Sequence, residues 1–280
     1  REFNPTRVIV TFDGKNGSES RKKIHEGYKA GREKNRFRVN RTYGEMMSEE
    51  DERLSMRQQF VWLNDMLDYL PVQTMIYDGI EADDTIAYLT QYTQNEYDGE
   101  VVIVSTDKDF LQLVSDKVSV FSPTKKKMYN RQVVFDEFAI WPENLLLYRT
   151  LDGDKSDNIP GIKGCGIKTL LKRFPELSED RLITHDEFFQ MCEGKLGKIK
   201  LYNDIIESKE QLLMNKRFME LKDPHIPTNQ KLKIIDRFRE DDVVFSKLDF
   251  LKVGNKYKVL QNWRDINDWL QSTFHNIIIK

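Results

Sequence analysis

Five carboxylates gather in two short stretches of this 280-residue chain: Glu81, Asp83, Asp84, Asp107 and Asp109. Each stretch follows an apolar segment typical of a buried strand, at residues 72–77 and 101–104. A helix is predicted over residues 85–92, so the two strands are expected to be parallel neighbours in a βαβ unit. Both acidic stretches would then meet at one edge of an open sheet. Because clustered carboxylates repel one another, the pattern predicts a site for Mg²⁺ or Mn²⁺.

Three more acids are expected at the same place. Asp13 ends a predicted strand over residues 7–12, and Asp154 and Asp157 are three residues apart, which puts both on one side of a helical turn. An alternative role for any one of these acids is to cap a helix start, where carboxylates complement the helix dipole. Capping alone does not explain why acids follow several strands that share an edge. All eight carboxylates are therefore predicted to converge on one edge of the sheet.

The composition limits the class of protein. With 39% hydrophobic residues and a net charge of −2, the chain can bury a sizeable core and has no overall basic charge. Its two cysteines and four scattered histidines give neither a disulfide framework nor a zinc-ligand spacing, which is typical of a reducing compartment. No transmembrane run or signal peptide is evident, so a cytoplasmic protein without membrane contact is expected. The length suits a core over residues 1–150 and a mainly helical region over residues 151–280.

A basic segment follows the first strand. Residues 21–41 contain nine Lys or Arg residues and two Glu, and Tyr28, Phe37 and Tyr43 are interleaved or adjacent. This composition suits contact with a phosphate backbone and unstacked bases, although a solvated helical face has the same charge pattern. We predict that a partner orders this segment. An amphipathic helix is expected to follow, from Ser48 to Asp68.

A glycine-rich stretch with a basic and a hydroxyl residue follows the last acids: Gly161, Gly164, Gly166, Lys168 and Thr169. The pattern predicts two short helices joined by a hairpin. Backbone N–H groups at such a junction can bind a phosphate, and the lysine and threonine add a charge and a hydroxyl. Glycines also commonly end helices, so the stretch alone is weak evidence. The acidic pair directly before it strengthens the interpretation.

Taken in order, these blocks resemble the 5′ nuclease family, whose members include flap endonucleases, bacteriophage 5′-exonucleases and the 5′-nuclease domain of bacterial DNA polymerase I. The resemblance covers about residues 7–175 and is greatest to the phage enzymes. The matching blocks are Asp13, Tyr28-Lys29-Ala30-Gly31-Arg32, Glu81-Ala82-Asp83-Asp84, Ser105-Thr106-Asp107-Lys108-Asp109, Gly153-Asp154, Asp157-Asn158 and the glycine hairpin.

The resemblance implies an α/β fold with a PIN-like 5′ nuclease core, in which helices flank a central, mostly parallel sheet. It also implies a basic helical arch at about residues 19–47, a helix-hairpin-helix motif and a helical C-terminal region. The implied activity is structure-specific hydrolysis of phosphodiesters near 5′ ends of DNA or RNA–DNA hybrids, in primer removal, replication and repair.

The resemblance also assigns roles to residues. Two ions, Mg²⁺ or Mn²⁺, are implied, and their ligands are Asp13, Glu81, Asp83, Asp107 and Asp109 for the first and Asp84, Asp154 and Asp157 for the outer shell or the second. Lys29 and Arg32 of the arch would stabilise charge at the scissile phosphate, and with Asp83 they are the predicted catalytic residues. The predicted DNA-binding residues are Arg21, Lys22, Tyr28, Lys29, Arg32, Arg36, Gly161, Gly164, Gly166, Lys168 and Thr169. A K⁺ ion at the hairpin, a monomeric state, and replication partners such as a polymerase or single-strand-binding protein are also expected.

One departure from the family pattern concerns the sheet. Family members have an earlier strand with a metal-binding Asp, and residues 1–7 contain no such strand. We therefore expect a strand-wide gap in the sheet, or another segment that fills it. Metal binding is expected to be weak, because one ligand is missing. Cys165 is a smaller departure, because the family usually has an aliphatic residue between those glycines. Two alternatives stay open: a non-catalytic DNA-binding relative, and a Mg²⁺-dependent RNase of the related PIN-like fold.

Overall fold

The computed structural model describes residues 3–24, 27–29, 48–240, 243–261 and 263–278. Most of the predicted arch, including Arg32 and Arg36, lies outside these residues. The described chain has an α/β fold in which short strands are flanked by many helices, as the sequence predicts. Within these ranges, no helix has both the length and the apolar character needed to cross a bilayer.

The strands of the described chain form two separate sheets. In the first, β1 (Ile9–Phe12) and β2 (Gln73–Ile76) pair in parallel. In the second, β3 (Val101–Val104) pairs in parallel with β4 (Val118–Ser122), and β5 (Lys127–Tyr129) is antiparallel to β4. These segments are rich in β-branched and aromatic side chains, which pack well on a pleated surface.

The break between the sheets concerns two predictions. Among the residues that the structure describes, no strand pairing joins β1 or β2 to β3, β4 or β5, and a gap of one strand's width between them stays a prediction. The prediction that β2 and β3 are neighbours is wrong, since β2 pairs with β1 and β3 pairs with β4. A βαβ pattern fixes the handedness of a crossover, but roughly a third of consecutive strands do not lie side by side.

Helices make up most of the remaining described chain. In order they are α1 (Glu19–Ile24), α2 (Glu49–Leu67), α3 (Ala82–Glu96), α4 (Arg131–Phe138), α5 (Pro142–Asp152), α6 (Ile167–Arg173), α7 (His185–Glu193), α8 (Lys200–Glu207), α9 (Lys209–Met219), α10 (Thr228–Arg239), α11 (Lys247–Lys256) and α12 (Ile266–Ile278). Helix α2 begins where the sequence predicts it, because the Ser48 hydroxyl accepts from the N–H of Asp51 at 3.1 Å. The Asp51 carboxylate accepts in turn from the N–H of Ser48 at 3.0 Å, which completes a capping box.

Helix α3 connects the two sheets. Its buried Ala87 packs in the apolar cluster around Ile103 of β3, and its buried Leu89 packs in the cluster around Met75 of β2. One helix therefore fixes both sheets relative to its own N-terminus, where the first acidic stretch lies.

The C-terminal helices complete the core under the strands. The largest apolar cluster surrounds β3 and β4 and includes side chains of α5, α7 and α8. A second cluster joins β1 and the end of α2 to α11 and α12, where Phe250, Leu270 and Phe274 are buried. Burying one such side chain contributes about 1.5–3 kcal/mol relative to leaving it exposed, so these helices stabilise the strands that precede the acids. The division into residues 1–150 and 151–280 stays a prediction.

Candidate metal centre

The end of β1 and the start of α3 lie side by side. The carboxylate of Asp13 accepts a hydrogen bond from the N–H of Ala82 at 2.8 Å, and the N–H of Gly14 donates to the carbonyl of Ile80 at 3.0 Å. Gly14 permits this approach, because a Cβ there would lie 1.7 Å from the carbonyl oxygen of Tyr77. The parallel pairing of β1 with β2 therefore places Asp13 at the N-terminus of α3.

Three acids at this helix start form a compact group. The ligand oxygens of Glu81, Asp83 and Asp84 lie within 4.8 Å of one another. Glu81 and Asp84 are buried, whereas 33% of the Asp83 side chain is exposed. Burial and the neighbouring carboxylates of Asp84 and Glu81 raise the pKa of Asp83 above its usual range. Converging carboxylate oxygens are the ligands that Mg²⁺ and Mn²⁺ prefer, so the group fits a hard divalent ion.

Two basic side chains contact this group. The guanidinium of Arg21 donates to Asp84 through hydrogen bonds of 2.8 and 3.0 Å and also donates to Glu81. The ammonium of Lys29 donates to Glu81 as well. Burial alone would raise the pKa of Glu81, but Arg21 and Lys29 hold it below its usual value. Arg21 is 8% exposed and its guanidinium is engaged by acids, and its contact with DNA stays a prediction.

A second acidic pair is joined by an arginine that the sequence analysis missed. Arg149, in the last turn of α5, donates to Asp109 and to Asp154, each at 2.7 Å. Asp109 follows β3 and Asp154 follows α5, so Arg149 connects acids from two parts of the chain. A basic residue in the last turn of a helix that precedes an acidic loop is the only sequence signal for this contact, and it does not identify Asp109 as a partner.

The stability of the metal-free protein should depend on the protonation of Asp109. Burial raises the pKa of Asp109 to about 6, against the opposing effect of Arg149. A carboxyl group with a raised pKa in the folded state binds its proton more tightly there than in the unfolded chain, where the pKa of Asp is about 3.9. The contribution of Asp109 to the free energy of unfolding should therefore rise as the pH falls from about 7 to about 4.

Thermal melting in EDTA, at about pH 5 and about pH 7.5, measures this contribution. The melting temperature at about pH 5 minus that at about pH 7.5 should be smaller in Asp109→Asn than in the wild type, because the variant lacks the carboxyl group that gains a proton. Asp116→Asn is the control and should keep the wild-type difference, because the Asp116 side chain is 90% exposed. An identical pH dependence in the wild type and in Asp109→Asn would contradict the raised pKa.

The eight predicted carboxylates do not form one ligand group. In the described ranges, the acids that lie together in this way are Glu81, Asp83 and Asp84. Asp107 caps the 3₁₀ helix at Lys108–Leu113, since its carboxylate accepts from the N–H of Asp109 at 2.9 Å. Asp13 also accepts from a helix N–H, so the alternative capping role applies to these two acids. The described residues thus include one three-acid group and one acidic pair bridged by an arginine, and the convergence of all eight acids on one edge stays a prediction.

The base of the basic segment is fixed to the loop that carries Asp157. The N–H of Lys29 donates to the carbonyl of Asp157 at 3.0 Å. Tyr28 is buried and stacks on Phe218, with ring centroids 5.5 Å apart. The contact of Tyr28 with DNA stays a prediction. Lys22 is exposed on α1, and its contact with DNA stays a prediction.

The glycine hairpin differs locally from the predicted motif. Of its two expected helices, the described chain forms the second, α6, and the residues before α6 form turns. Gly161 is required for packing, because a Cβ there would lie 2.0 Å from the carbonyl oxygen of Asp152. Gly164 has a φ of +89°, a conformation that favours glycine, and no atom of the described residues lies within 4 Å of a Cβ built at Gly164 or at Gly166. The outer face of this turn is therefore open.

Comparison with known proteins points to one family. The family model described as "5'-3' exonuclease, N-terminal resolvase-like domain" matches residues 1–139. The chain is 32% identical to the 5'-3' exonuclease of Aquifex aeolicus over 231 residues, which cover 78% of this chain and 72% of that protein. It is 31% identical to the 5'-3' exonuclease of Bacillus subtilis over 204 residues, which cover 71% of this chain and 61% of that protein.

Two further similarities concern a polymerase and a solved structure. Thermus thermophilus DNA polymerase I is 34% identical over 169 residues, which cover 60% of this chain and only 18% of the polymerase. The D15 protein of bacteriophage T5, co-crystallized with metal ions, has a TM-score of 0.64 at 23% identity, over 92% of this chain and 87% of that chain. The structural match confirms the predicted α/β fold with its helical regions.

Proposed function

Because the chain belongs to the 5′-3′ exonuclease family, we propose that it is a structure-specific 5′ nuclease that requires divalent metal ions. The proposed reaction is hydrolysis of a phosphodiester at a 5′ flap or 5′ end of DNA or of an RNA–DNA hybrid. The observation that carries the metal requirement is the acidic group of Glu81, Asp83 and Asp84, whose ligand oxygens lie within 4.8 Å of one another. Primer removal, replication and repair are the processes in which this reaction is proposed to act.

We propose that the acids bind different metal ions, according to their surroundings. Glu81 and Asp83 would hold a first ion, the pair Asp109 and Asp154 would support a second, and Asp84 would act in the outer shell, where it holds Arg21. When bound, such ions polarise phosphoryl oxygens and lower the pKa of water. Asp83 has the most accessible side chain of the three-acid group, so it is the ligand that faces the substrate side.

The proposed DNA contacts come from the hairpin and the basic segment. Lys168 and Thr169 are exposed at the start of α6, next to the open face of the glycine turn. A phosphate can approach such a main chain closely, and binding of this kind does not depend on base sequence. Together with these groups, the proposed contacts are Lys22, Lys29, Arg32, Arg36, Gly161, Gly164 and Gly166. A K⁺ ion at the hairpin is part of the same proposal.

Partners and location are proposed from the family. Similarity to part of a DNA polymerase I favours a polymerase as a partner, in the same replication step as a single-strand-binding protein. We also propose that the protein is a cytoplasmic monomer, which acts in the host cytoplasm if a phage carries its gene.

One assay separates this function from the two alternatives. The protein is incubated with a 5′-flap DNA and with a single-stranded RNA, each with Mg²⁺ or with EDTA. A 5′ nuclease cuts the flap DNA near its 5′ end only with Mg²⁺. A non-catalytic relative binds the flap DNA without cutting it, and a PIN-like RNase cuts the RNA and leaves the DNA intact. Either of the last two results would overturn the proposal.

The basic segment should act on the chemical step. Replacing Lys29 by alanine should lower single-turnover cleavage by about 100-fold or more, because its charge is used mostly when negative charge develops at the phosphate. Arg32→Ala should act in the same way. Affinity for duplex DNA, measured in Ca²⁺, should fall by less than about threefold, since many other phosphate contacts remain. A loss of affinity with an unchanged rate of the chemical step would show that Lys29 and Arg32 are ordinary phosphate contacts.

A further inference from the structure

The acids proposed to bind metal are already engaged by basic side chains of the same chain. Oε1 of Glu81 accepts from Lys29 and Oε2 accepts from Arg21. Oδ1 and Oδ2 of Asp84 both accept from Arg21, at 2.8 and 3.0 Å. Asp83 differs, because the nearest Arg21 nitrogen is 3.9 Å away. A divalent ion that binds Glu81 must therefore compete with Arg21 and Lys29 for the same oxygen atoms.

Charge makes this competition strong. When all three acids are ionised they carry three negative charges, and Arg21 and Lys29 offset two of them. The side chains of Arg21 and Glu81 are 10% and 4% exposed, so salt and water screen their interaction less than on a surface. A divalent ion placed a few ångströms from a buried guanidinium is repelled more strongly than it would be in bulk water.

The two basic residues differ in how easily they can leave. Arg21 holds both oxygens of Asp84 through a planar two-pronged contact, which is rigid and geometrically matched to a carboxylate. Among the described acids, Lys29 donates to Glu81 alone, through a flexible side chain. Its backbone N–H is separately held by the carbonyl of Asp157 at 3.0 Å, so the ammonium can change partner without movement of the main chain.

We propose that Arg21 and Lys29 are internal competitors of the metal ion. Arg21 stays on Asp84 and lowers the affinity of the site, whereas Lys29 is displaced from Glu81 by the ion and becomes available to a phosphate. Metal binding and the supply of a positive charge for the substrate are thereby coupled. The phosphate as the new partner of Lys29 rests on the proposed function, but the exchange between lysine and metal does not.

Mn²⁺ binding measures the competition directly. Titrations followed by electron paramagnetic resonance compare the wild type with Arg21→Gln and Lys29→Gln, each of which removes one competing charge. Both variants should bind Mn²⁺ about tenfold more tightly or better, because a nearby positive charge has been removed. Lys23→Gln is the matched control, since Lys23 lies on α1 and is exposed, and its Mn²⁺ affinity should stay within about twofold of wild type.

Unchanged or weaker Mn²⁺ binding in Lys29→Gln would overturn the proposal, whatever the behaviour of Arg21→Gln. If Arg21→Gln does not fold, Arg21→Met replaces it, because methionine also removes the competing charge and fills a buried site with an unbranched apolar side chain. That variant should bind Mn²⁺ more tightly than the wild type, and unchanged or weaker binding by it would also overturn the competition.

Displacement of Lys29 has its own measurement. The rate at which an amine-acylating reagent labels Lys29, followed by mass spectrometry, should rise severalfold when Mn²⁺ is added. Labelling of Lys23 should stay constant. A Lys29 rate that Mn²⁺ leaves unchanged would overturn the displacement. Neither measurement uses cleavage, so a protein that exchanged Lys29 for metal but cut no DNA would overturn the proposed function and leave this inference standing.

Discussion

Replacing Asp83 by asparagine should remove most cleavage and leave DNA binding intact. Asp83 is the most accessible acid of the three-acid group, and its nearest Arg21 nitrogen is 3.9 Å away, so it is the ligand most open to an incoming ion. Asparagine has a similar size but no charge. Since even outer-shell changes at metal sites cost about 10–100-fold, loss of this ligand should lower the single-turnover rate by more than about 100-fold.

The same change should stabilise the metal-free protein. The carboxylates of Asp84 and Glu81 contribute to the raised pKa of Asp83, which reports their repulsion of its charge. The melting temperature of Asp83→Asn in EDTA should therefore exceed that of the wild type. Asp98→Asn is the control for rate and stability, because the Asp98 side chain is 94% exposed and its contact with Lys117 is worth little. Full cleavage by Asp83→Asn at saturating substrate would show that Asp83 is not a required metal ligand.

Replacing Gly161 by alanine should strongly lower the free energy of unfolding. A Cβ at this position would lie 2.0 Å from the carbonyl oxygen of Asp152 and 2.8 Å from the backbone nitrogen of Gly153, and neither atom can move as a flexible side chain could. The chain after α5 would have to separate from the helix end. Overpacking commonly costs about 1–3 kcal/mol, and a clash with backbone on this scale should lower the free energy of unfolding by about 3 kcal/mol or more.

Urea denaturation of Gly161→Ala and Gly99→Ala tests this expectation. A Cβ at Gly99 meets no atom within 4 Å in the part of the chain that the structure describes, so its replacement should change the free energy of unfolding by less than about 1 kcal/mol. Gly161→Ala should also weaken Mn²⁺ binding, because the shifted segment carries Asp154. Wild-type stability in Gly161→Ala would show that the approach of these two backbone segments is not required.

The positions of the acids could be predicted because they depend on local pattern. An apolar run followed directly by acids indicates a strand with a site at its carboxyl end, and β2 and β3 were identified in this way. Their adjacency could not be predicted. Strand order depends on long-range pairing, and here β2 pairs with β1, some 60 residues earlier in the chain.

The basic residues that pair with the acids could not be predicted from local sequence pattern either. Arg21 and Glu81 are 60 positions apart, and Arg149 and Asp109 are 40 apart, so only the tertiary fold brings each pair together. A basic segment with interleaved aromatics suggested a DNA-binding surface for all of its residues. Two of them, Arg21 and Tyr28, are buried, because residues at the base of a segment must pack against the core that anchors it.

Diffraction from crystals soaked in Mn²⁺, collected near the manganese absorption edge, tests whether Glu81 and Asp83 hold the catalytic ions. We expect anomalous density about 2 Å from carboxylate oxygens of Glu81 and Asp83, the distance of a directly bound hard cation. The same map should show the Lys29 ammonium away from Glu81 while Arg21 remains on Asp84. Anomalous density confined to other carboxylates, with Lys29 still bound to Glu81, would show that Glu81 and Asp83 do not hold the ions.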